Sequence, residues 1–150
     1  MRLSILIIIA FFSAVLTPTH ASNFNLDTGF AADASKYNKT LINAVSKAGT
    51  RLIGVGIHGI IIYSDDNGTN WEQASVPTTK TLTDIDCINK NVCWATGHDA
   101  YILKTTDRGQ NWIIQYQDEI FDAPLLSISM FNENAGIAVG AFAKSLMTTD

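Results

Sequence analysis

Between residues 41 and 150 the apolar residues fall into short runs separated by polar turns, with no sustained helical spacing. The first kind of run alternates roughly between apolar and polar positions, as half-buried strands do. The second kind is a short run of four residues that is apolar in 60–63 and mostly or partly apolar in 101–104 and 144–147. The alternating runs are 41–45, 82–86 and 125–129. This pattern predicts an all-β protein built from antiparallel strands.

The runs recur at a fixed period. The glycine-containing segments Gly54–Gly56, Ala95–Gly97 and Ala138–Gly140 are separated by 41 and then 43 residues. Each unit contains an alternating run, a glycine-containing strand and a short apolar run, and in the first two units a fourth strand follows that opens with Trp71 or Trp112. Four strands at a period of roughly 40 residues are typical of one blade of a β-propeller.

A motif with the same internal spacing recurs at the third turn of each unit. Ser64–Trp71 and Thr105–Trp112 both fit Ser/Thr-x-Asp-x-Gly-x-x-Trp, and a third copy begins at Thr148 and Asp150. We expect the Asp to accept backbone N–H groups, the Ser or Thr to close the loop, the Gly to adopt positive φ and the Trp to pack beneath the turn. The predicted structural residues are Ser64, Asp66, Gly68, Trp71, Thr105, Asp107, Gly109, Trp112, Thr148 and Asp150. A calcium loop was the alternative, but the glycine and acidic positions do not fit an EF-hand.

The N-terminus has the pattern of a secretory signal peptide. Arg2 precedes 13 mostly apolar residues, 4–16, and Thr19-His20-Ala21 offers small residues before a cleavage site. An uncleaved anchor is the alternative, although a spanning helix needs about 20 apolar residues. We therefore predict a signal peptide at 1–21, a lead-in at 22–40 and export to the periplasm or the extracellular space. No stable membrane insertion is expected after cleavage.

Cys87 and Cys93 are the two cysteines of the chain, and they flank a predicted hairpin tip at 88–92. Export would place them in a compartment where a disulfide persists. The residues allow either a disulfide or two free buried thiols, and we favour the disulfide. No further Cys or His pair completes a metal-ligand set, so no metal or cofactor is predicted.

The composition excludes some functions. The chain is 47% hydrophobic and 16% charged with a net charge of −4, which is typical of a globular domain. Its ten Lys and Arg residues are scattered singly. Nucleic-acid binding is therefore not expected.

The motif resembles the Asp-box of the bacterial-neuraminidase-repeat (BNR) family. The flanking segments 41–45, 51–56, 63–68, 93–99 and 103–107 resemble exported bacterial relatives of the photosystem II assembly and stability factor. The resemblance implies a propeller of about seven blades, acting as an assembly scaffold for a protein partner such as a membrane-protein subunit. In a photosynthetic host it would imply the thylakoid lumen.

Three departures from the family pattern qualify the resemblance. Asn67 and Arg108 replace a glycine often found before the motif glycine, and Ala100 and Ala143 stand where a turn glycine is usual. The units 41–76, 82–117 and 125–150 amount to about two and a half blades, which cannot close a ring of that size. We therefore expect an N-terminal fragment of a longer propeller.

The predicted function is non-catalytic protein binding. The turns between second and third strands and the links between blades share one face, and loops commonly carry function. The candidate partner-binding residues are His58, His98, Asp99, Phe121 and Phe142. The alternative is a sialidase-like glycoside hydrolase with its catalytic residues in further blades. Such an enzyme needs an arginine cluster for the substrate carboxylate, and after residue 21 the chain has only Arg51 and Arg108.

Overall fold

A computed structural model describes residues 29–31, 33, 40–118, 120 and 123–149. Within these residues the regular structure consists of β-strands and two short 3₁₀ turns, Ile57–Gly59 and His98–Ala100. The predicted signal peptide and most of the lead-in lie outside the described residues. The strands are β1 Ile42–Ala48, β2 Arg51–Gly56, β3 Ile61–Ser64, β4 Glu72–Gln73, β5 Leu82–Cys87, β6 Cys93–Gly97, β7 Ile102–Thr105, β8 Ile113–Tyr116, β9 Leu125–Met130, β10 Ala135–Gly140 and β11 Ser145–Thr149.

The strands form three antiparallel sheets in which neighbours in sequence are neighbours in space. The orders are β1-β2-β3-β4, β5-β6-β7-β8 and β9-β10-β11, so the first two sheets have four strands and the described part of the third has three. Each sheet is an up-and-down meander, the arrangement of a propeller blade. The predicted all-β fold with four-stranded antiparallel blades is confirmed, as a partial propeller.

Strands β3 and β4 begin one residue later than predicted, for a local reason, and β1 ends three residues later than predicted. Ile60 was expected to open β3, but its N–H donates to the Ile57 carbonyl at 3.1 Å and closes the preceding turn. Trp71 was expected to open β4, but its indole N–H donates to the Gly68 carbonyl at 3.0 Å, which keeps it in the turn. Both residues therefore belong to turns, and β3 and β4 begin one position later.

The sheets stack face to face, and their inner faces form the core. β5 packs against β1 and β2, and β9 packs against β5 and β6. One apolar cluster lies between the first and second sheets and includes Ile53, Ile61 and Trp112. A second cluster lies between the second and third sheets and includes Trp94 and Ile128. Burial of these side chains is the main force that holds consecutive sheets together.

Polar side chains connect the innermost strands. Asp84 on β5 accepts the backbone N–H of Ile128 at 2.9 Å, and Asp86 accepts that of Met130 at 2.7 Å. Thr83 donates its hydroxyl to the Leu125 carbonyl at 2.6 Å. β5 thus places Leu82 and Ile85 in the core and its hydrogen-bonding residues against the next blade, with a register shift between Leu82 and Asp84.

The recurring glycine at the end of each second strand has a steric cause. A Cβ on Gly56, Gly97 or Gly140 would lie 2.1–2.3 Å from the carbonyl oxygen of the residue before the first strand. The φ angles of Gly56 and Gly97 are extended, so these two positions demand the small side chain of glycine rather than its left-handed freedom. Because the backbones approach this closely, the residue after each glycine donates its N–H to the carbonyl just before the first strand of the same blade. The bonds are Ile57 N to Leu41 O, His98 N to Thr81 O and Ala141 N to Pro124 O.

Candidate protein-binding face

The first motif turn, residues 64–71, is closed by its own side chains. Ser64 Oγ accepts the Gly68 N–H at 2.8 Å and donates to Asp66 Oδ1, also at 2.8 Å. Asp66 Oδ1 accepts the Asn70 N–H at 2.8 Å, and Gly68 has φ +88°. The turn is therefore built from the acid, hydroxyl and glycine that the sequence singled out.

The second motif turn, residues 105–112, repeats this network. Thr105 Oγ1 accepts the Gly109 N–H at 3.1 Å, Asp107 Oδ1 accepts that of Asn111 at 3.0 Å, and Gly109 has φ +83°. Hydrogen bonds from Asn70, both backbone and side chain, lower the pKa of Asp66 to about 2. Burial acts to raise the pKa of Asp107, but the hydrogen bonds it accepts outweigh burial and lower it. Both carboxylates are therefore ionised and hold their turns together by accepting backbone N–H groups.

The two motif tryptophans have the same hydrogen bond but different burial. The indole N–H of Trp112 donates to Gly109 O at 3.0 Å, as that of Trp71 does to Gly68 O. Trp112 is 4% exposed between the first two sheets, whereas Trp71 is 41% exposed. The expectation of an apolar staple between sheets therefore describes Trp112. Trp71 lies outside the buried cluster between the first two sheets.

The third motif copy is described only in part. Thr148 lies on β11 and is exposed, and Asp150 falls outside the described residues. Its role as a motif residue stays a prediction.

An ion-pair cluster that the sequence did not reveal joins the second motif turn to the first blade. Arg51 is 5% exposed, forms a bidentate pair with Asp65 at 2.9 and 2.5 Å, and donates to the Arg108 carbonyl at 2.9 Å. The hydrogen bond from Arg51 lowers the pKa of the Asp65 carboxyl. The β2–β3 register pairs Leu52 with Ser64 and so sets Arg51 beside Asp65. Aligning the hairpin about its turn would have found this pair.

Cys87 and Cys93 form a disulfide in the structure. They are directly opposed in the β5–β6 register, with Cα atoms 4.1 Å apart. The Asn89 side chain accepts the N–H groups of Asn91 and Val92 within the hairpin loop. The crosslink therefore closes a loop that is already ordered by hydrogen bonds.

The tips of the turns between second and third strands share one strained geometry. His58, Asp99 and Phe142 have φ between +52° and +56°. The residues that follow them, Gly59, Ala100 and Ala143, also have positive φ. Two successive left-handed residues define a type I′ turn, which suits the twist of a tight hairpin. Ala100 and Ala143 adopt the conformation without the glycine that usually occupies it. The three tips therefore share one backbone conformation.

Ion pairs connect the links between blades to these tips. Lys80, in the link from the first to the second blade, pairs with Asp99 at 2.5 Å. Lys144, beside the third tip, pairs at 3.1 Å with Asp118, in the link from the second to the third blade. The Ala100 N–H also donates to the Ala123 carbonyl at 3.2 Å. Turns and links therefore form one continuous face, which we call the tip face.

The candidate partner-binding residues lie on the tip face where the structure describes them. His58 and His98 are exposed, Asp99 is half-buried beside Lys80, and Phe142 is 81% exposed. Phe121 falls outside the described residues, but its neighbour Ile120 is 99% exposed. Because successive connections of a meander alternate between its two ends, the motif turns lie at the opposite end. The described candidates therefore lie at one end of the blades, and their role in binding a partner stays a prediction.

Two further observations limit the chemistry of the described residues. Within them, no group of three or more His, Cys, Asp or Glu side chains is arranged to hold a metal ion. None of the helical segments in the described ranges is long and apolar enough to cross a membrane.

Comparison with known proteins finds sequence relatives that this chain matches over part of their length. No protein-family model matches the chain. It is 38% identical over 42 residues to the photosystem II assembly protein Ycf48 of Thermosynechococcus vestitus, covering 28% of this chain and 12% of that protein. It is 30% identical over 103 residues to the uncharacterized protein YkuO of Bacillus subtilis, covering 68% of this chain and 34% of YkuO.

Solved structures agree on the architecture. A structure of Ycf48 bound to a D1 peptide superposes with a TM-score of 0.65 at 19% identity, over 74% of this chain and 38% of that one. Ycf48 from Cyanidioschyzon merolae gives a TM-score of 0.63 at 16% identity, over 73% of this chain and 37% of that one. The chain thus has the fold of a Ycf48-type β-propeller and spans little more than a third of its length.

Proposed function

We propose that this chain is part of a non-catalytic, protein-binding propeller that holds a segment of a partner protein on its tip face. The observation that carries the proposal is the tip face itself. Its turns are fixed by type I′ geometry and by ion pairs, and they present the 81% exposed Phe142. A large exposed aromatic on a rigid support is typical of a binding hot spot, because little conformational entropy is lost on binding.

The comparisons support a protein partner. The Ycf48 structure that superposes on this chain is bound to a D1 peptide, and the sequence relative in Thermosynechococcus vestitus is an assembly protein. We therefore propose a scaffold that binds protein segments, with a membrane-protein subunit or its assembly intermediate as partner. We also propose that this chain belongs to the exported, BNR-type relatives of the photosystem II assembly factor.

Site-specific crosslinking tests the binding face. A photoactivatable residue at Phe142 should crosslink a discrete partner in the native host, and the same residue at Thr106, exposed at the motif-turn end, should not.

The partner is then purified and its affinity measured for Phe142→Ala and, as a matched control, Phe131→Ala. Phe131 is 67% exposed but follows β9 at the opposite end. We expect Phe142→Ala to weaken binding by about thirtyfold, the effect of a hot spot, and Phe131→Ala to leave it unchanged. Equal effects of both variants would refute the proposed face.

The proposal also includes export. A disulfide is typical of oxidising compartments, and the structure has one at Cys87–Cys93. Cell fractionation with thiol labelling tests this. Recovery in the cytoplasmic fraction with both thiols reactive would contradict export.

The glycosidase alternative has a direct test. In the structure the Arg51 guanidinium is nearly buried and engaged by Asp65, so it is occupied within the fold. We expect no turnover when the protein is incubated with a fluorogenic sialoside, and measurable hydrolysis would overturn the non-catalytic function.

A further inference from the structure

The first motif turn contains the one Asn-Gly step of the sequence, Asn67–Gly68. Every other asparagine of the chain precedes a residue that has a side chain. At an Asn-Gly step the glycine nitrogen can approach the side-chain carbonyl carbon of the asparagine, because glycine has no Cβ and a permissive backbone. Among the asparagines of this chain, Asn67 is therefore the one whose side chain is most open to attack by its own backbone.

Asn67 is exposed and has a left-handed backbone, with φ +57°. Asparagine tolerates this conformation better than most residues do, which accounts for its presence in the turn. The conformation does not require asparagine, because Arg108 occupies the equivalent position of the second turn with φ +67°. The first motif turn therefore carries a reactive amide that the second motif turn lacks.

Hydrogen bonds within the turn engage the attacking nitrogen. The Gly68 N–H donates to Ser64 Oγ at 2.8 Å. Ser64 is 1% exposed and itself donates to Asp66 Oδ1 at 2.8 Å, so the turn fixes the position of this hydroxyl. Asp66 Oδ1 also accepts the Asn70 N–H at 2.8 Å. Because the Gly68 nitrogen has to leave this network before it can bond to the Asn67 side chain, the closed turn slows the reaction.

We propose that Asn67 is a self-modifying site, which deamidates through its own backbone and which Ser64 protects as long as the motif turn is closed. The Gly68 nitrogen loses its proton and bonds to Asn67 Cγ, the Cγ–Nδ2 bond breaks, and the amide leaves with that proton as ammonia. The product is a succinimide ring. Water then opens the ring at either carbonyl, which yields aspartate or isoaspartate at position 67. The reaction consumes only water and involves no change of oxidation state.

The isoaspartate product is incompatible with the turn as the structure has it. Its main chain runs through the former side chain, which adds a methylene carbon between Asp66 and Gly68. The Ser64–Gly68 and Asp66–Asn70 hydrogen bonds both span this step, so the two bonds cannot both keep their geometry. Modification therefore locks the turn open. The site lies at the motif-turn end of the blade, so the proposal is independent of the partner proposed for the tip face.

Timed incubation of the full chain at mildly alkaline pH measures the reaction, in buffer and in guanidinium chloride. Peptide mapping by mass spectrometry locates the deamidated residue. Transfer of a labelled methyl group by a protein isoaspartate methyltransferase detects isoaspartate. In guanidinium chloride we expect Asn67 to be the main modified asparagine. In buffer, with the fold verified by far-UV circular dichroism, its rate should be at least about tenfold lower, because the closed turn retains the Gly68 nitrogen.

Three variants separate the turn from general stability. Ser64→Ala removes the acceptor and should raise the rate in buffer by about tenfold. Ser64→Thr keeps a hydroxyl, as Thr105 does in the second turn, and should deamidate at the wild-type rate. Thr105→Ala is the matched control, because it removes the equivalent bond to Gly109, at 3.1 Å, and leaves the first turn intact. It should leave the rate at Asn67 unchanged.

Several outcomes would overturn the proposal. They are an unmodified Asn67 in guanidinium chloride, equal rates in buffer and in denaturant, and equal acceleration by Ser64→Ala and Thr105→Ala. If Ser64→Ala does not fold, the Ser64→Thr chain decides, since a folded Ser64→Thr chain that deamidates as fast as the denatured protein would show that the hydroxyl gives no protection.

Discussion

The two motif tryptophans provide an internally controlled measurement of how much blade stacking stabilises this fold. Trp71 and Trp112 occupy the same motif position and make the same indole hydrogen bond at 3.0 Å. They differ in exposure, at 41% and 4%. Replacing each with alanine removes the same groups, so the difference between the two losses in stability isolates the burial of the indole between sheets.

The expected difference follows from the exposed fractions. A tryptophan buries up to about 250 Å², so the two exposures differ by about 90 Å². At about 25 cal/mol per Å² this corresponds to about 2 kcal/mol. Trp112→Ala also leaves a cavity in the core, and we expect it to lower the free energy of unfolding by about 3–5 kcal/mol. Trp71→Ala should lower it by about 1–2 kcal/mol.

Urea denaturation followed by far-UV circular dichroism measures both losses without relying on tryptophan fluorescence. Trp71→Phe and Trp112→Phe serve as controls, because each removes the same indole N–H bond and keeps an aromatic ring. Equal losses for the two alanine variants would refute the reasoning, since stacking between sheets would then contribute nothing measurable. A larger loss for Trp71→Ala would reverse the assignment of the buried staple.

Three other perturbations have defined outcomes. Gly59→Ala should lower the free energy of unfolding by about 1–3 kcal/mol in urea titrations, because its Cβ would lie 1.9 Å from the Thr78 carbonyl oxygen and its φ is +71°. The pKa of Asp66 is lowered to about 2 in the folded state, so its contribution to stability is present above about pH 4. That contribution should be lost as the pH falls towards 2, and an Asp66→Asn variant should show a shallower loss in urea titrations over this range. Replacing Cys87 and Cys93 together with alanine should cost about 2 kcal/mol, the chain-entropy value for a short loop, measured by thermal and urea unfolding.

Each of these expectations has a contradicting result. A folded Gly59→Ala variant of unchanged stability would show that the turn relaxes away from Thr78. Parallel pH profiles for wild type and Asp66→Asn would show that the motif carboxylate is not held ionised by the turn. Unchanged stability of the double cysteine variant, with the wild-type disulfide verified by mass spectrometry, would show that the hairpin loop is equally ordered without the crosslink.

Local chemistry explains why so much of the blade was predictable. The motif turns are closed by side chains within four residues of their partners, as between Ser64 and Gly68 or Asp66 and Asn70. Such contacts depend on spacing along the chain, and the sequence shows spacing directly. The same holds for the disulfide candidates, since Cys87 and Cys93 flank one short hairpin.

Other features depended on how the blades meet. The sequence predicted one role for both motif tryptophans, yet burial separates Trp71 from Trp112 according to which sheet lies beside each. The sequence showed no partner for Arg51 or Arg108. In the structure both side chains donate to the Asp65 carboxylate, Arg51 from the same blade and Arg108 from the next. Nothing in the spacing of these residues reports a contact between blades.

The sequence by itself therefore determined the repeat, the antiparallel units and the chemistry of the motif turns. These follow from periodicity and turn chemistry, which act over a few residues and recur every 41 to 43 positions. Only the tertiary structure decided which tryptophan is buried and which charges pair on the tip face. Those outcomes depend on the stacking of sheets, because burial and ion pairing are set by neighbours distant in sequence.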